Sequence, residues 1–194
     1  MKKLLIIILL FSLSYFNVYS MEPDVFIQST VNRASQTLSK NISKQEKINE
    51  LKFIAKEAVD IRGIGFYSLG SNRKNLNDNQ RKKYLDLFEN YFLKSFSSRL
   101  AEYTDPKIEV QSIKVINKNY TIVNSVLVST SERPEVKIDW RVYTKNPNSP
   151  LIRDLIIEGL SLARTQKEEF ASILNSNGGD IKALFNTLED FAKN

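Results

Sequence analysis

Residues Val136 to Tyr143 read VKIDWRVY, with Val136, Ile138, Trp140 and Val142 alternating with Lys137, Asp139, Arg141 and Tyr143. A period of two places the four apolar side chains on one face of a β-strand and the largely polar set on the other, so the segment predicts a strand with one dry face. The same period runs through Lys107 to Leu162. Upstream, Ile108 and Val110 followed by Ile113 and Val115 predict a strand with a phase slip near Gln111, and Asn117 to Asn119 a turn. Tyr120, Ile122, Val126 and Val128 carry the apolar alternation onward. Downstream, Pro147 to Pro150 turns the chain into Leu151 to Ile157, with Leu155 and Ile157 on one face and Asp154, Ile156 and Glu158 on the other. The expectation is a small antiparallel sheet of about four strands that needs an apolar cover on one side.

The cover comes from segments of helical period on both sides of the sheet region. Asp24 reads as the cap of a first helix through Phe26, Ile27, Val31, Ala34 and Leu38. Ile48, Leu51, Ile54, Ala55 and Ala58 make a second, and Asp60 to Leu69 a short third that stops at Gly70. Asn77 with Gln80 forms a capping box for the longest helix, whose apolar side is aromatic: Tyr84, Phe88, Tyr91, Phe92, Phe96 and Tyr103 recur with Leu87 and Leu100 every three or four residues. After Gly159, Thr165 with Glu168 reads as the capping box of a helix closed by Gly178 and Gly179, and Asp180 caps a last one bearing Ile181, Leu184, Phe185 and Leu188. The fold class is α+β, an antiparallel sheet with several helices over one face. Sheet and helices with such faces enclose either a filled core or an apolar cavity, and the residues alone fit both.

Residues 1–20 read as an export signal. Lys2 and Lys3 precede the apolar run Leu4 to Leu13, too short to span a bilayer, and Val18 and Ser20 fit a small-x-small cut ahead of Met21. A retained anchor is the competing reading. Cleavage leaves residues 21–194 as a single domain of 174 residues, and losing Lys2 and Lys3 lowers the formal net charge from +6 to +4. With no long basic block, no nucleic-acid partner is expected.

The chain has no cysteine and no histidine. Disulfides, Cys-His and Ser-His-Asp centres and His-based metal sites are thereby excluded, and no cofactor and no metal are expected. Gly63-Ile64-Gly65 lies inside a helical segment without the third glycine or preceding strand of a phosphate loop. Asp154 and Glu158 share one strand face at a spacing that paired-acid hydrolysis would use, though solvated charges or ion pairs with Arg153 or Arg164 are the simpler account. No catalytic residue is assigned.

The stretch Asp60 to Tyr103, DIRGIGFYSLGSNRKNLNDNQRKKYLDLFENYFLKSFSSRLAEY, together with VKIDWRVY and with Ile152 to Leu188, IRDLIIEGLSLARTQKEEFASILNSNGGDIKALFNTL, resembles the MlaC and toluene-tolerance family of phospholipid-binding proteins. Asp60, Leu69, Gly70, Gln80, Phe88, Trp140, Asp154, Glu158, Gly159, Ser161 and Phe170 stand where the family expects such residues. Asn72 stands in place of a frequent aromatic, and Gln166-Lys167 in place of a frequent Tyr-Arg pair. The resemblance implies a twisted antiparallel sheet with helices folded over it and acyl tails between them. It further implies a periplasmic phospholipid carrier of a Gram-negative bacterium, the soluble component of an ABC-type lipid transport system. The implied partners are an outer-membrane lipoprotein complex and an inner-membrane transporter with an MCE-domain ring, and a monomer is expected.

On that basis the tail-contact residues are expected to be Ile64, Tyr67, Phe88, Tyr91, Phe92, Val126, Ile138, Trp140, Leu155 and Ile157. Arg73, Lys74, Arg81, Lys82 and Lys83, clustered before and at the start of the long helix, are expected to form a headgroup or partner surface. Gly63, Gly65 and Gly70 are expected to let the long helix move against the sheet. Three other readings stay open on the residues alone: a periplasmic scaffold protein with a full core, a carrier of another lipid such as a hopanoid, and an enzyme using Asp139 or Asp154 as a base.

Overall fold

The computed structural model describes residues 21–193, so the export-signal reading of residues 1–20 lies outside the described residues. Four helices, α1 (Pro23–Ser39), α2 (Lys44–Ala58), α3 (Ile61–Leu69) and α4 (Asp78–Leu100), precede strands β1 (Ile108–Asn117), β2 (Tyr120–Leu127), β3 (Val136–Tyr143), β4 (Leu151–Ile157) and β5 (Leu160–Ser161). Helices α5 (Leu162–Ser176) and α6 (Ile181–Lys193) follow. The strands form an antiparallel meander in sequence order, and the class is α+β. The fifth strand exceeds the expected four because Glu158 and Gly159, both at positive φ (48° and 82°), fold the chain back for two residues beyond β4.

Helix ends follow local chemistry. Asn77 and Gln80 close the expected capping box on α4, and Ser43 with Glu46 closes one on α2 that the hydrophobic period alone passes over. For α1 the cap position is Glu22, followed by Pro23, and Asp24 sits inside the first turn, where its charge still complements the helix end. The cap of α5 is Ser161, whose hydroxyl oxygen accepts the Arg164 N–H at 3.1 Å; Thr165 lies one turn inside and donates to the Ser161 carbonyl at 3.1 Å. Any Ser or Thr near a helix start fits a capping motif, and only the strand pairing of Ser161 fixes which one is at the boundary.

The dry face of β3 is buried: Ile138 and Trp140 are nearly closed to solvent and Val142 fully so. The register slip near Gln111 falls where the phase change predicts, between Val110 and Ser112. In β2 the phase differs from expectation. Val123 pairs with Trp140 and Thr121 with Val142, so Thr121, Val123, Ser125 and Leu127 face the helices, whereas Tyr120, Ile122 and Val126 face away. Two polar residues on the inner face hid the true alternation, and the structure satisfies one of them. The Ser125 hydroxyl accepts the Trp140 indole N–H at 2.8 Å and donates to the Ile138 carbonyl at 3.0 Å.

A single apolar cluster joins α1 to α6 with the inner sheet face. Tyr84 and Phe88 of α4 are closed off and meet Phe170 of α5 edge-on, with ring centroids 6.4 and 6.1 Å apart. The Tyr84 hydroxyl donates to the Gly65 carbonyl at 2.9 Å, and burial pushes its phenol far above the ordinary value. Close approach explains the helical glycines: a Cβ on Gly65 would sit 2.8 Å from Phe88 Cδ1, and one on Gly63 would overlap the Asp60 carboxylate. That carboxylate accepts the Gly63 N–H (2.8 Å) and pairs with Arg153 (2.6 Å). Gly65→Val is expected to lower stability by about 1–3 kcal/mol through overpacking, measured by chemical denaturation. At the free edge of the sheet, the Gln28 side chain of α1 accepts the Val110 N–H (3.1 Å) and donates to the Ile108 carbonyl (3.3 Å).

Candidate functional site

Sheet and helices do not close on each other completely. Between them lies a cavity of about 340 Å³, near the low end of the roughly 300–1,000 Å³ typical of small-molecule sites. Its helical wall is built from Val31, Ala34 and Leu38 of α1, Leu51, Ile54 and Ala55 of α2, and the second half of the α4 aromatic stripe, Phe92 and Phe96. Its floor is the inner sheet face: Leu127, Ile138, Trp140, Ile152, Leu155 and Ile157. The α4 stripe therefore does two jobs. Its first turns, at Tyr84 and Phe88, pack against Phe170, and its later turns, at Phe92 and Phe96 with rings 5.6 Å apart and nearly parallel, stand over open space.

Polar groups sit among the α4 and α5 lining residues. Arg99, Thr165, Gln166 and Glu169 line this part of the cavity, and the Tyr91 hydroxyl donates to the Gln166 side-chain oxygen at 2.8 Å. Burial, helped by the Glu169 charge, raises the Tyr91 phenol above its ordinary value, so it stays neutral beside the apolar walls. Thr30 and Ser35 of α1 and Asp154 of β4 add further polar groups to the lining. A mainly apolar interior with a few polar groups suits a ligand that is mostly hydrocarbon with a polar end.

Of the ten residues expected at tail contacts, Ile64, Phe88, Tyr91, Phe92, Ile138, Trp140, Leu155 and Ile157 line the cavity. Val126 does not, because the phase of β2 turns it to the opposite face, and Leu127 lines the cavity in its place. Tyr67 does not either: it is 42% exposed and faces a second cleft, with Lys167 stacked 5.3 Å from its ring. That cleft is larger, about 630 Å³, but Arg73, Arg141, Arg153, Asp139 and Asp154 line it. Charges of that density disfavour hydrocarbon, so the smaller apolar cavity is the better site for it.

The five basic residues are not brought to the apolar cavity. Along α4 the lining begins at Phe88, six residues or about 9 Å beyond Lys82 at 1.5 Å per residue, and none of the five is among the lining residues. Arg81 is held by Asp78 (3.3 Å) and the Leu76 carbonyl (3.2 Å), Lys83 by Glu189 (2.9 Å), and Arg73 lines the second cleft. The five, in two runs separated by residues 75–80, thus stand outside the cavity lining. Residues missed by sequence reasoning, such as Leu38, Leu51, Phe96 and Leu127, carried the apolar signal but no sign of which apolar positions face a void.

Both acids of the paired-acid reading are engaged by neighbouring groups. Asp154, 3% exposed, accepts the Ala163 N–H (3.0 Å) and the Ser161 hydroxyl (2.6 Å), with Arg141 3.9 Å away. Glu158 accepts the Lys137 N–H at 2.6 Å. Arg153 pairs with Asp60 and not with Asp154, because the register shift opposite Arg141 and Val142 leaves it outside the ladder. Both acids are consumed in holding the β4–β5 region, and Asp139 accepts the Asn124 amide at 2.8 Å. Among the described residues no group of three acidic side chains is placed to hold a metal ion, and no helix is long and apolar enough to cross a membrane.

Fold and cavity together define a class: α+β proteins that keep an apolar space between a sheet and its helical cover. The MlaC protein family matches residues 28–190, and the chain belongs to that family. It is 24% identical over 166 residues to the intermembrane phospholipid transport system binding protein MlaC of Haemophilus influenzae, covering 81% of this chain and 77% of that protein. Its fold is similar to that of a phospholipid-binding protein from Ralstonia solanacearum solved in complex with a phospholipid. The TM-score is 0.76 at 18% identity, over 89% of this chain and 98% of that one.

Proposed function

We propose that the chain is a periplasmic phospholipid carrier, holding acyl chains in the cavity between α1, α2, α4 and the sheet while lipid passes between outer and inner membranes. The observation that carries this reading is an apolar cavity of about 340 Å³ in a member of a family whose relative is named for intermembrane phospholipid transport. Tail contacts are assigned to Ile64, Phe88, Tyr91, Phe92, Ile138, Trp140, Leu155 and Ile157, with Leu38, Leu51, Phe96 and Leu127 added. Arg73, Lys74, Arg81, Lys82 and Lys83, away from this cavity, are assigned to contact with the transport system's membrane components, an outer-membrane lipoprotein complex and an inner-membrane MCE-domain transporter.

Energetics favours a carrier that needs no chemical step on the lipid. Each methylene buried is worth about 0.8 kcal/mol against water, so two tails contribute tens of kcal/mol by that reference. The lipid, however, leaves a bilayer that is equally apolar, so gain and loss nearly cancel and transfer is reversible. A diacyl lipid also exceeds a site at the low end of the size range, so loading requires the helical wall to move outward from the sheet.

Native mass spectrometry of gently purified protein tests the reading: one phospholipid per chain is expected. A bare chain would favour a scaffold with an unused void, and a polycyclic lipid would replace the phospholipid assignment.

A further inference from the structure

The cavity has an apolar track leading out of it over the β4–β5 hairpin. Ile157 lines the cavity, and its cross-strand partner is Leu160. Directly paired residues in an antiparallel ladder stand on the same face, so Leu160 continues the surface of Ile157 beyond the edge of the cavity. Two residues on, Leu162 also lines the cavity. Leu160 is 59% and Leu162 41% exposed. A lone exposed leucine is ordinary, but two that flank a cavity-lining isoleucine make a continuous strip from solvent to interior.

The hairpin holds this strip in place. Glu158 and Gly159 form its turn at positive φ, and Glu158 ties it to β3 by accepting the Lys137 N–H (2.6 Å) and donating its own N–H to the Lys137 carbonyl (3.1 Å). On the far side, Asp154 accepts from the Ser161 hydroxyl and the Ala163 N–H. The two acids that a catalytic reading would pair thus brace the hairpin from both ends and keep Leu160 standing in water.

We propose that this hairpin is the ramp by which an acyl chain passes between a lipid layer and the cavity, with Leu160 making the first contact. The inference rests on the carrier reading above. A tail leaving a lipid layer is opposed by every methylene it exposes to water, and a track that covers methylenes in succession lowers the barrier without altering the end states. The residue at its outer end therefore governs rate, while the cavity governs the amount held.

The test is the time course of uptake of a pyrene-tailed phospholipid from mixed phosphatidylethanolamine and phosphatidylglycerol vesicles. Leu160→Asp and Leu160→Gln are expected to slow uptake about fivefold or more while reaching the wild-type plateau, because only the path loses apolar cover. Val115→Asp, 69% exposed on β1 and outside the cavity lining, should load at the wild-type rate. Wild-type rates in both Leu160 variants, or equal slowing by Val115→Asp, overturn the ramp while leaving the carrier reading intact. A lower plateau at unchanged rate overturns it too, placing Leu160 in the holding site. No uptake by the unaltered protein overturns both. Thermal melting of the variants within a few degrees of wild type confirms that folded proteins are being compared.

Discussion

Replacing Ala34 with phenylalanine is expected to cut the phospholipid that co-purifies with the chain about tenfold or more while leaving the melting temperature unchanged or a few degrees higher. Ala34 lines the cavity from α1, facing space bounded by α4 and the sheet. In an empty apolar cavity a phenyl ring gains contacts and removes a void, a change worth up to about 2 kcal/mol of stabilisation, or roughly 4–8 °C for a domain of this size. In a full core the same ring would be overpacked and cost about 1–3 kcal/mol. The direction of the thermal shift therefore tells cavity from core independently of any lipid measurement. Lipid content by mass spectrometry then reports whether that space is where the ligand sits.

Asp154→Leu is expected to destabilise the protein by about 3 kcal/mol, a fall of roughly 6–12 °C in Tm, because it strands a hydroxyl and a backbone N–H at the start of α5. Ser161 passes the effect on, since its hydroxyl donates to Asp154 while its oxygen accepts the Arg164 N–H. Thermal unfolding by circular dichroism checks the size of the loss. A shift under about 2 °C would show that solvent replaces the carboxylate at little cost and that the network does not hold the hairpin.

The sheet and the helix order were legible because hydrophobic period reports which face of an element is dry, and β3 and α4 have unbroken periods. The phase of β2 was not legible. Thr121 and Ser125 occupy inner positions that pattern reading reserves for apolar residues, and the Trp140 indole that makes Ser125 welcome there is a tertiary partner 15 residues away. That error moved Val126 into the expected site and left Leu127 out.

The void itself is invisible at the level of period. Tyr84 and Phe96 stand on one aromatic helix stripe, twelve positions apart, yet Tyr84 is sealed against Phe170 and Phe96 overlooks open space. Whether α5 reaches a given turn of α4 depends on crossing geometry that no single segment records. The five basic residues close in sequence do not line the apolar cavity, and two of them, Arg81 and Lys83, are engaged in ion pairs with Asp78 and Glu189.

Gln28 has a meaning beyond packing. By meeting the Ile108 carbonyl and the Val110 N–H with its amide, it stands in for one residue of a neighbouring strand and occupies hydrogen-bonding sites that another copy of the sheet would otherwise seek. The register slips in β1 and the charge of Lys114 discourage stacking further along that edge. In the carrier proposed above, helices moving off the sheet to exchange cargo would uncover apolar surface, and a blunted border opposes edge-to-edge pairing while they are open.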